Sequence, residues 1–315
     1  MNAFRYGRVT AIIEALLATI IWASSFVFVK MILSNIGPLT IAGLRYFLAF
    51  LVLLPFMISK RQTVHDISPN TWFHLTLIGL SAYTVGNGAL FWSLKYLPAT
   101  TTSLLMGISP LLILFGGMVF LKEVPSRLQI VGLMISLVGN AVFFSSGLQP
   151  GEPLGIAIVA FGLLGFTAFG ILGRGLARDK RTNTIHLTGI PLGIGGGLLL
   201  LIAVPLEGWP IFNQKVLLII LWLAIINTAV AYILYNHALK TITALEMNVF
   251  LNLSPLGTAA LAWFLLGESL SFKELFGVAI VIIGVTLVQL KRGYSKANNQ
   301  SSEISTEAKA TGEVR

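Results

Sequence analysis

Long apolar stretches alternate with short polar connections along most of this chain. Each stretch is about 20 residues long, which is the length that a helix needs to cross the hydrocarbon core of a bilayer. Prolines fall in several of the connections, where helices usually end. The pattern predicts ten membrane-spanning helices, at roughly residues 11–33, 38–58, 71–94, 99–121, 127–146, 154–174, 185–206, 215–238, 244–266 and 274–291.

The composition supports the same interpretation. Apolar residues make up 56% of the 315 residues, charged residues only 10%, and the mean hydropathy is +0.86, whereas about a quarter of the residues are charged in soluble domains. The predicted spans leave no room for a soluble domain of ordinary size. We therefore expect an all-α integral membrane protein. Residues 294–315 are polar, and we expect a disordered cytoplasmic tail there.

The basic residues indicate how the chain is oriented in the membrane. With a cytoplasmic N-terminus, only Lys30, Lys95, Lys215 and Lys273 of the 21 Lys and Arg residues face the outside, and Arg45 lies within the second span. The other sixteen lie on the cytoplasmic side, where membrane proteins usually have their excess of Lys and Arg. We expect both termini in the cytoplasm and a location in the cell membrane. Loops that face anionic lipid explain the net charge of +9, so nucleic acid need not be invoked.

The second half of the sequence repeats the first. Residues 93–143 align with residues 238–288 at a constant offset of 145, without a gap. The matches include Ser109, Pro110, Glu123, Gly132 and Gly139, which align with Ser254, Pro255, Glu268, Gly277 and Gly284. We assign a first repeat to residues 11–147 and a second repeat to residues 153–291. Because each repeat has five spans, an odd number, the two must enter the membrane in opposite orientations, as in inverted-repeat transporters.

Four segments resemble the two EamA-type repeats of the drug/metabolite transporter superfamily. They are WASSFVFVK, LTIAGLRYFLAFLVLLP, SPLLILFGGMVFLKEVPSRLQIVGLMISLVG and SPLGTAALAWFLLGESLSFKELFGVAIVIIGV. The resemblance implies a ten-helix inverted repeat that moves small organic metabolites such as amino acids, often outward. Sugar-nucleotide and triose-phosphate carriers are similar in fold, so the resemblance leaves the substrate open. The halves are not chemically equivalent, since Arg45 of the first corresponds to Gly189 of the second at the offset of 144 that applies to the early spans.

Polar and aromatic side chains recur in the middle of the predicted spans. Asn87 and Phe91 lie four residues apart and share a helix face, as do Asn248 and Asn252. Such residues either line a cavity or bond helices to one another, and the aromatic ones either wall a cavity or face lipid. The candidates for a substrate cavity are Trp22, Tyr83, Asn87, Phe91, Ser103, Phe169, Tyr232, Asn248 and Asn252. The central spans have no Lys or Arg cluster of the kind that binds phosphate, which favours a zwitterionic or neutral polar substrate.

Two prolines and two charged residues are further candidates. Pro110 and Pro255 lie within spans four and nine at matching positions, where they would kink or break the helix. They are either gating points or ordinary packing features. Glu14 and Arg45 are predicted to lie within the membrane, where charges usually line a cavity or form pairs. Glu14 is the candidate for binding a coupling proton, and Arg45 either lines the cavity or bonds to loop carbonyls.

These features favour a secondary transporter that exports an amino acid or a related metabolite by alternating access of two inverted repeats. The sequence has no Walker A motif and no cysteine, which excludes thiolate metal sites. The alternatives are a carrier of another metabolite class, sugar-nucleotide-like, drug or lipid-linked, and a membrane-embedded enzyme. An enzyme is disfavoured because the spans contain no Asp, no His-Glu-x-x-His and no Gly-x-Ser-x-Gly. We expect no cofactor and no metal, and the sequence leaves the oligomeric state open.

The predicted topology can be tested with reporter fusions. A reporter fused after Leu148 should be located outside, and one fused after Lys180 should be located in the cytoplasm, because an odd number of spans precedes the first point and an even number precedes the second. Activity of an exported enzyme and fluorescence of a cytoplasmic protein measure the two locations. Reversed locations would contradict the inverted arrangement of the repeats.

Overall fold

The computed structural model describes residues 2–59, 67–93, 96–97, 102, 105–145, 152–178, 182–254, 256–257, 261 and 271–290. Within these ranges every regular element is helical. Most helices begin beside Pro, Ser, Thr or Asn, which fit the first turn or cap its free N–H groups. The α-helices are α1 (Asn2–Lys30), α2 (Pro38–Ile58), α3 (Pro69–Gly79), α4 (Gly88–Ser93), α5 (Ser109–Phe120), α6 (Arg127–Phe144), α7 (Pro153–Arg178), α8 (Thr184–Glu207), α9 (Gln214–Ala224), α10 (Ala231–Ala238), α11 (Ala244–Leu251) and α12 (Phe272–Leu290).

Helices long and apolar enough to cross a bilayer account for most of the fold. The described residues contain seven of them, and the apolar helix α5 is shorter. Large apolar side chains such as Val119, Leu201 and Phe276 are exposed on their outer faces, where a soluble protein would carry polar groups. The protein is therefore a multi-pass membrane protein. The expected spans at residues 99–121 and 244–266 are described only in part, so the total of ten stays a prediction.

Two of the long helices contain a wider, π-helical turn at matching positions. The first π segment, Leu80–Asn87, joins α3 to α4, and the second, Ile225–Val230, joins α9 to α10. Their first residues are 145 positions apart, which is the offset of the sequence repeat. π-Helical turns are rare and occur frequently at functional sites. Their recurrence therefore marks the same point in both halves of the chain.

The fourth predicted span is broken near its middle. The chain turns at Gly107 and Ile108, and α5 begins at Ser109, so Pro110 occupies the first turn of this helix rather than its interior. A second turn follows α11 at residues 252–253, again 145 positions later. The proline predicted to match Pro110, Pro255, lies outside the described residues. The break itself recurs at the equivalent point of the second half.

Matching helices of the two repeats pack closely and run in opposite directions. A Cβ atom at Gly132 of α6 would lie 2.7 Å from the carbonyl oxygen of Gly284 in α12, and one at Gly139 would lie 3.0 Å from the carbonyl oxygen of Gly277. Residue numbers therefore increase along α6 in the direction in which they decrease along α12, so the two helices are antiparallel. Gly132 is the repeat equivalent of Gly277, and Gly139 that of Gly284, so each contact is the counterpart of the other. Reciprocal contacts of this kind are expected of two units related by a two-fold axis.

Helices α2 and α8 form a second antiparallel pair of matching helices. A Cβ at Gly43 would lie 2.7 Å from the Cα of Leu200, and one at Gly196 would lie 2.5 Å from the Cβ of Tyr46. Small residues allow helices in lipid to approach until their backbones touch, which replaces the hydrophobic force that water would supply. The same glycine-based packing therefore joins the repeats at two places.

A carboxylate of the second repeat caps a helix of the first. The side chain of Glu207, the last residue of α8, accepts hydrogen bonds from the backbone N–H groups of Leu39 (3.0 Å) and Thr40 (2.7 Å). These groups lie in the first turn of α2, where the helix dipole favours negative charge. The carboxylate occupies the space that a Cβ at Gly37 would need. The contact fixes how α2 enters the bundle.

The glycine contacts between α6 and α12 can be tested by adding a methyl group. Gly132→Ala and Gly284→Ala should each lower the free energy of unfolding by about 1–3 kcal/mol, because the new Cβ meets backbone atoms that cannot rotate away. Thermal unfolding of the purified protein in detergent measures the change. Gly197→Ala is the matched control, since a Cβ there would lie 3.5 Å from the Phe47 ring, an ordinary contact. Equal melting temperatures for all three variants would contradict the described packing.

Candidate functional site

Six aromatic side chains meet inside the bundle, and we call them the aromatic cluster. They are Trp22, Tyr46, Tyr83, Phe169, Tyr232 and Tyr235. The ring centroids of Trp22 and Tyr232 are 4.8 Å apart, and those of Tyr83 and Tyr232 are 5.3 Å apart. All are buried except Trp22, which is partly buried. Contacts at these distances and angles stabilise the packing of aromatic rings.

The cluster joins helices from both repeats. Trp22 belongs to α1, Tyr46 to α2 and Tyr83 to the first π segment, whereas Phe169 belongs to α7 and Tyr232 to α10. The ring of Tyr83 contacts that of Tyr46 at 4.8 Å and that of Tyr232 at 5.3 Å between centroids. The site therefore combines apolar ring faces with polar hydroxyl groups at the boundary between the repeats.

The second π segment supplies backbone and side-chain acceptors beside the cluster. The carbonyl oxygen of Asn227 accepts hydrogen bonds from Trp22 Nε1 (2.9 Å) and from Arg45 Nη2 (3.2 Å). The Asn227 side chain donates through Nδ2 to the Ser24 hydroxyl (2.9 Å) and to the carbonyl of Ile21. These bonds attach α1 and α2 of the first repeat to the π segment of the second.

Arg45 lies at the centre of this polar group. Its side chain is buried, and its Nε donates to Thr228 Oγ1 (3.0 Å) while Nη1 donates to Ser25 Oγ (2.7 Å). The guanidinium carbon lies 5.2 Å from the centroid of the Tyr46 ring, within the range of a cation–π interaction. Arg45 thus contacts the aromatic cluster directly rather than a loop carbonyl, which was the other possibility open from its sequence position.

A second polar pair lies where the two broken spans approach each other. Ser109, the first residue of α5, donates its hydroxyl to Asn248 Oδ1 (3.0 Å) in α11. Asn252 is also buried, and its Nδ2 has no hydrogen-bond partner within the described part of the chain. The Asn248 side chain borders Gly170, the residue after Phe169 of the cluster. Polar groups therefore continue from the aromatic cluster towards the broken spans.

The structure brings together some of the predicted cavity residues and separates others. Trp22, Tyr83, Phe169 and Tyr232 lie in the aromatic cluster, and Asn248 and Asn252 lie near the broken spans. Asn87 instead donates to the carbonyl of Ala82 in its own π segment (2.8 Å). Phe91 packs against the apolar core, and Ser103 lies outside the described residues.

Two members of the cluster were not among the predicted candidates. Tyr46 follows Arg45 directly, and Tyr235 follows Tyr232 by three residues, which places it on the same helix face. The helical spacing of Tyr235 was a usable signal. Tyr46 offered no such signal, because α2 is apolar apart from Thr40 and Arg45 and its spacing does not distinguish an inward tyrosine.

Ion pairs surround the N-terminus of α11. Arg174 Nε donates to Glu123 Oε1 (2.9 Å), and the other oxygen of Glu123 accepts from the backbone N–H of Ala244 (3.3 Å). Glu246, which is fully buried, accepts from Arg8 Nη2 (2.9 Å). Glu123 therefore caps a helix of the other repeat.

The predicted membrane charge Glu14 is at this same end of the bundle. Its carboxylate lies 2.8 Å from His237 Nδ1, and the His237 side chain is 51% exposed. Burial lowers the pKa of the neighbouring Lys240 ammonium, and the Glu14 carboxylate partly offsets this effect. A cavity of about 600 Å³ is lined by Lys122, Glu123 and Arg178, among others. Glu14 therefore lies at the end of the bundle that also carries these charged groups.

Comparison with known proteins identifies what this chain is similar to. The sequence pattern of the EamA-like transporter family matches it twice, at residues 9–145 and 152–290. An uncharacterized transporter of Archaeoglobus fulgidus is 30% identical over 285 residues, which cover 88% of this chain and 96% of the relative. An S-adenosylmethionine/S-adenosylhomocysteine transporter of Chlamydia trachomatis is 27% identical over 302 residues, 90% of this chain and 91% of the relative.

Two further similarities cover nearly the whole chain. The uncharacterized inner membrane transporter YedA of Escherichia coli K12 is 24% identical over 293 residues, 91% of this chain and 93% of the relative. A solved crystal structure superimposes with a TM-score of 0.77 at 16% identity, covering 90% of this chain and 97% of the other. At that identity the superposition shows the fold alone.

The role of Trp22 in holding the site together can be tested by shortening its ring. Trp22→Phe removes the hydrogen bond to the Asn227 carbonyl and part of the buried ring, so it should lower the free energy of unfolding by about 1–3 kcal/mol. Trp222→Phe is the matched control, because Trp222 is 47% exposed on the outer surface. Thermal unfolding in detergent compares the two. A larger loss for Trp222→Phe would contradict the described site.

Proposed function

We propose, from the premise that this chain belongs to the EamA-like transporter family, that it is a secondary transporter of a small organic metabolite in the cell membrane. The observation that carries the proposal is the aromatic cluster with Arg45 and Asn227, which is built by both repeats and buried within the bundle. Inverted-repeat transporters bind their substrates at the interface between the repeats. The cluster is therefore our candidate for the substrate site.

The proposed arrangement is ten spans in two inverted repeats, residues 11–147 and 153–291, with both termini in the cytoplasm. Two antiparallel pairs, α6 with α12 and α2 with α8, support it, because matching helices of inverted repeats must run in opposite directions. In this orientation the ion pairs around the N-terminus of α11 lie at the cytoplasmic end. Glu14, paired there with His237, is the candidate for exchanging a coupling proton.

The proposed cycle is alternating access around a fixed site. The spans containing Pro110 and Asn252 are broken at matching points, and a break concentrates bending at a few residues. Because the repeats are inverted, bending of one broken span would open the site to the cytoplasm and bending of the other would open it to the outside. Pro255 completes the pair in the sequence, so we assign gating to both prolines.

The proposed substrate is an amino acid or a related compound, and the proposed direction is export. Hydroxyl, amide and guanidinium groups beside ring faces suit a molecule with both polar and apolar parts. The Chlamydia trachomatis relative is named for S-adenosylmethionine and S-adenosylhomocysteine, which makes these compounds a second candidate cargo. Sugar-nucleotide-like, drug and lipid-linked substrates are further alternatives, and a membrane-embedded enzyme is the least supported one.

Counterflow in proteoliposomes tests the function directly. Vesicles with purified protein are loaded in turn with each amino acid, S-adenosylmethionine or S-adenosylhomocysteine, and the uptake of the same labelled compound is followed without ATP. We expect transient accumulation of label for at least one compound, because exchange requires only a carrier and a gradient. Absence of exchange for the whole panel would contradict the proposal, and conversion of the label into a new compound would favour an enzyme.

The gating assignment predicts a specific effect of two substitutions. Pro110→Ala and Pro255→Ala should each reduce exchange severalfold while the protein stays folded, because a continuous helix resists bending. Cysteine accessibility at the two ends of the bundle should shift in opposite directions in the two variants. Identical shifts, or loss of folded protein in both variants, would contradict gating at the prolines.

A further inference from the structure

Arg45 is a buried cation with no carboxylate partner among the described residues. Its side chain is only 6% exposed, and its three hydrogen-bond acceptors within the described residues, Ser25 Oγ, Thr228 Oγ1 and the Asn227 carbonyl, are all neutral. Arg174, which is also buried, is paired with Glu123. A buried charge costs several kcal/mol when no opposite charge compensates it. Arg45 is therefore a charge that the described part of the protein leaves uncompensated.

The guanidinium group also has hydrogen-bond donors to spare. An arginine side chain carries five N–H groups, and the bonds to the three neutral acceptors use one each on Nε, Nη1 and Nη2. One N–H on Nη1 and one on Nη2 have no acceptor in the part of the chain that the structure describes. Two N–H groups on the two terminal nitrogens are the arrangement that receives both oxygens of a carboxylate. The group is thus held in place by the protein and still able to bind an anion.

A free acceptor lies on the residue next to these donors. Asn227 is completely buried, and its Oδ1 atom has no hydrogen-bond partner among the described residues. The carbonyl oxygen of the same residue is 3.2 Å from Arg45 Nη2. Buried acceptors without donors are uncommon in folded proteins. The site therefore has unused donors and an unused acceptor on contacting residues.

The surroundings are aromatic. Arg45 lies over the ring of Tyr46, which contacts Tyr83 at 4.8 Å between centroids, and Trp22 shares the Asn227 carbonyl with Arg45. Aromatic ring faces attract cations and also bury apolar groups. A molecule held at Arg45 would therefore place its remaining part against the rings.

We propose that Arg45 binds the carboxylate group of the transported compound, and that this compound is a monocarboxylate, most completely matched by an α-amino acid. The carboxylate takes the two free N–H groups of Arg45, and the ammonium group has the Asn227 Oδ1 and the ring faces as acceptors. The inference rests on the proposed function, because it treats the aromatic cluster as the substrate site. It goes further by assigning the residue that binds the carboxylate of the substrate.

The charge of the site distinguishes a carboxylate from a phosphate. Among the described residues the cluster is contacted by one cation, and binding of a doubly charged phosphate group usually requires several basic groups or a helix N-terminus. A single guanidinium with two free donors fits one singly charged group. Neutral compounds would leave the charge of Arg45 uncompensated.

The experiment compares acids with their amides. The measured quantity is the concentration of each compound that halves counterflow in proteoliposomes, and the ratio of interest is the amide's concentration divided by the acid's. The pairs are L-phenylalanine and L-phenylalaninamide, L-methionine and L-methioninamide, and L-threonine and L-threoninamide. In the unmodified protein at least one acid should inhibit at a concentration about 10- to 100-fold lower than its amide, because a charge-assisted hydrogen bond usually has an effect of this size. In Arg45→Gln this ratio should fall to within about threefold. The ratio does not depend on the amount of folded protein, because both members of a pair are measured on the same sample.

Two further variants separate binding from folding. Arg45→Lys keeps the charge and loses the planar fork, so its ratio should lie between those of the unmodified protein and Arg45→Gln. Arg8→Gln removes a cation that is paired with Glu246 at the end of the bundle, and its ratio should equal that of the unmodified protein. A ratio that falls equally in Arg8→Gln would overturn the assignment of Arg45.

The remaining outcomes are also decisive. If amides inhibit as well as acids, or if none of the acids inhibits an exchange that does occur, the substrate class is wrong while the transport function stands. If Arg45→Gln keeps the ratio of the unmodified protein, Arg45 is structural and the anchor lies elsewhere. If no compound is exchanged at all, the proposed function fails and the inference fails with it.

Discussion

The antiparallel packing of matching helices at glycine is the interaction on which the rest of the structure depends. In lipid there is no hydrophobic force between helices, so close van der Waals contact between backbones must hold them together. Gly132 with Gly284 and Gly139 with Gly277 provide this contact in reciprocal form. A methyl group at any of these positions would meet the opposite helix. The repeat therefore shapes the protein mainly through residues that have no side chain.

This packing places irregular backbone, namely the π-helical turns and the broken helices, at the boundary between the repeats. Every backbone group inside a membrane needs a partner within the protein, so π-helical turns and broken helices are tolerated only where the protein covers them. Both occur here at matching positions, and Asn227 in the second π segment accepts side-chain bonds from Trp22 and Arg45. The irregular backbone thus supplies the polar groups of the site, while the regular helices supply its walls.

The sequence predicts the organisation of the chain better than it predicts the site. The repeat, the membrane helices and the family resemblance could be predicted, because they depend on spacing and composition over long segments. Trp22, Tyr83, Phe169 and Tyr232 were predicted as a group, and the structure brings them into contact. Tyr46 could not be predicted, because apart from Thr40 and Arg45 the whole of α2 is apolar and its spacing does not mark one inward face. Asn87 was predicted for the cavity, and its side chain donates a hydrogen bond within its own π segment, a turn that the residue pattern did not predict.

The difference between the halves explains why the proposed site has one cation. At the position equivalent to Arg45 the second repeat has Gly189, and the Met57 side chain fills the space where a Cβ would be. A second arginine there would disrupt the packing of α2 against α8, because the Met57 side chain already fills this space. The close packing that joins the repeats therefore removes one of the two symmetric charges. What remains is a single guanidinium at the interface, which fits a substrate with one carboxylate rather than two.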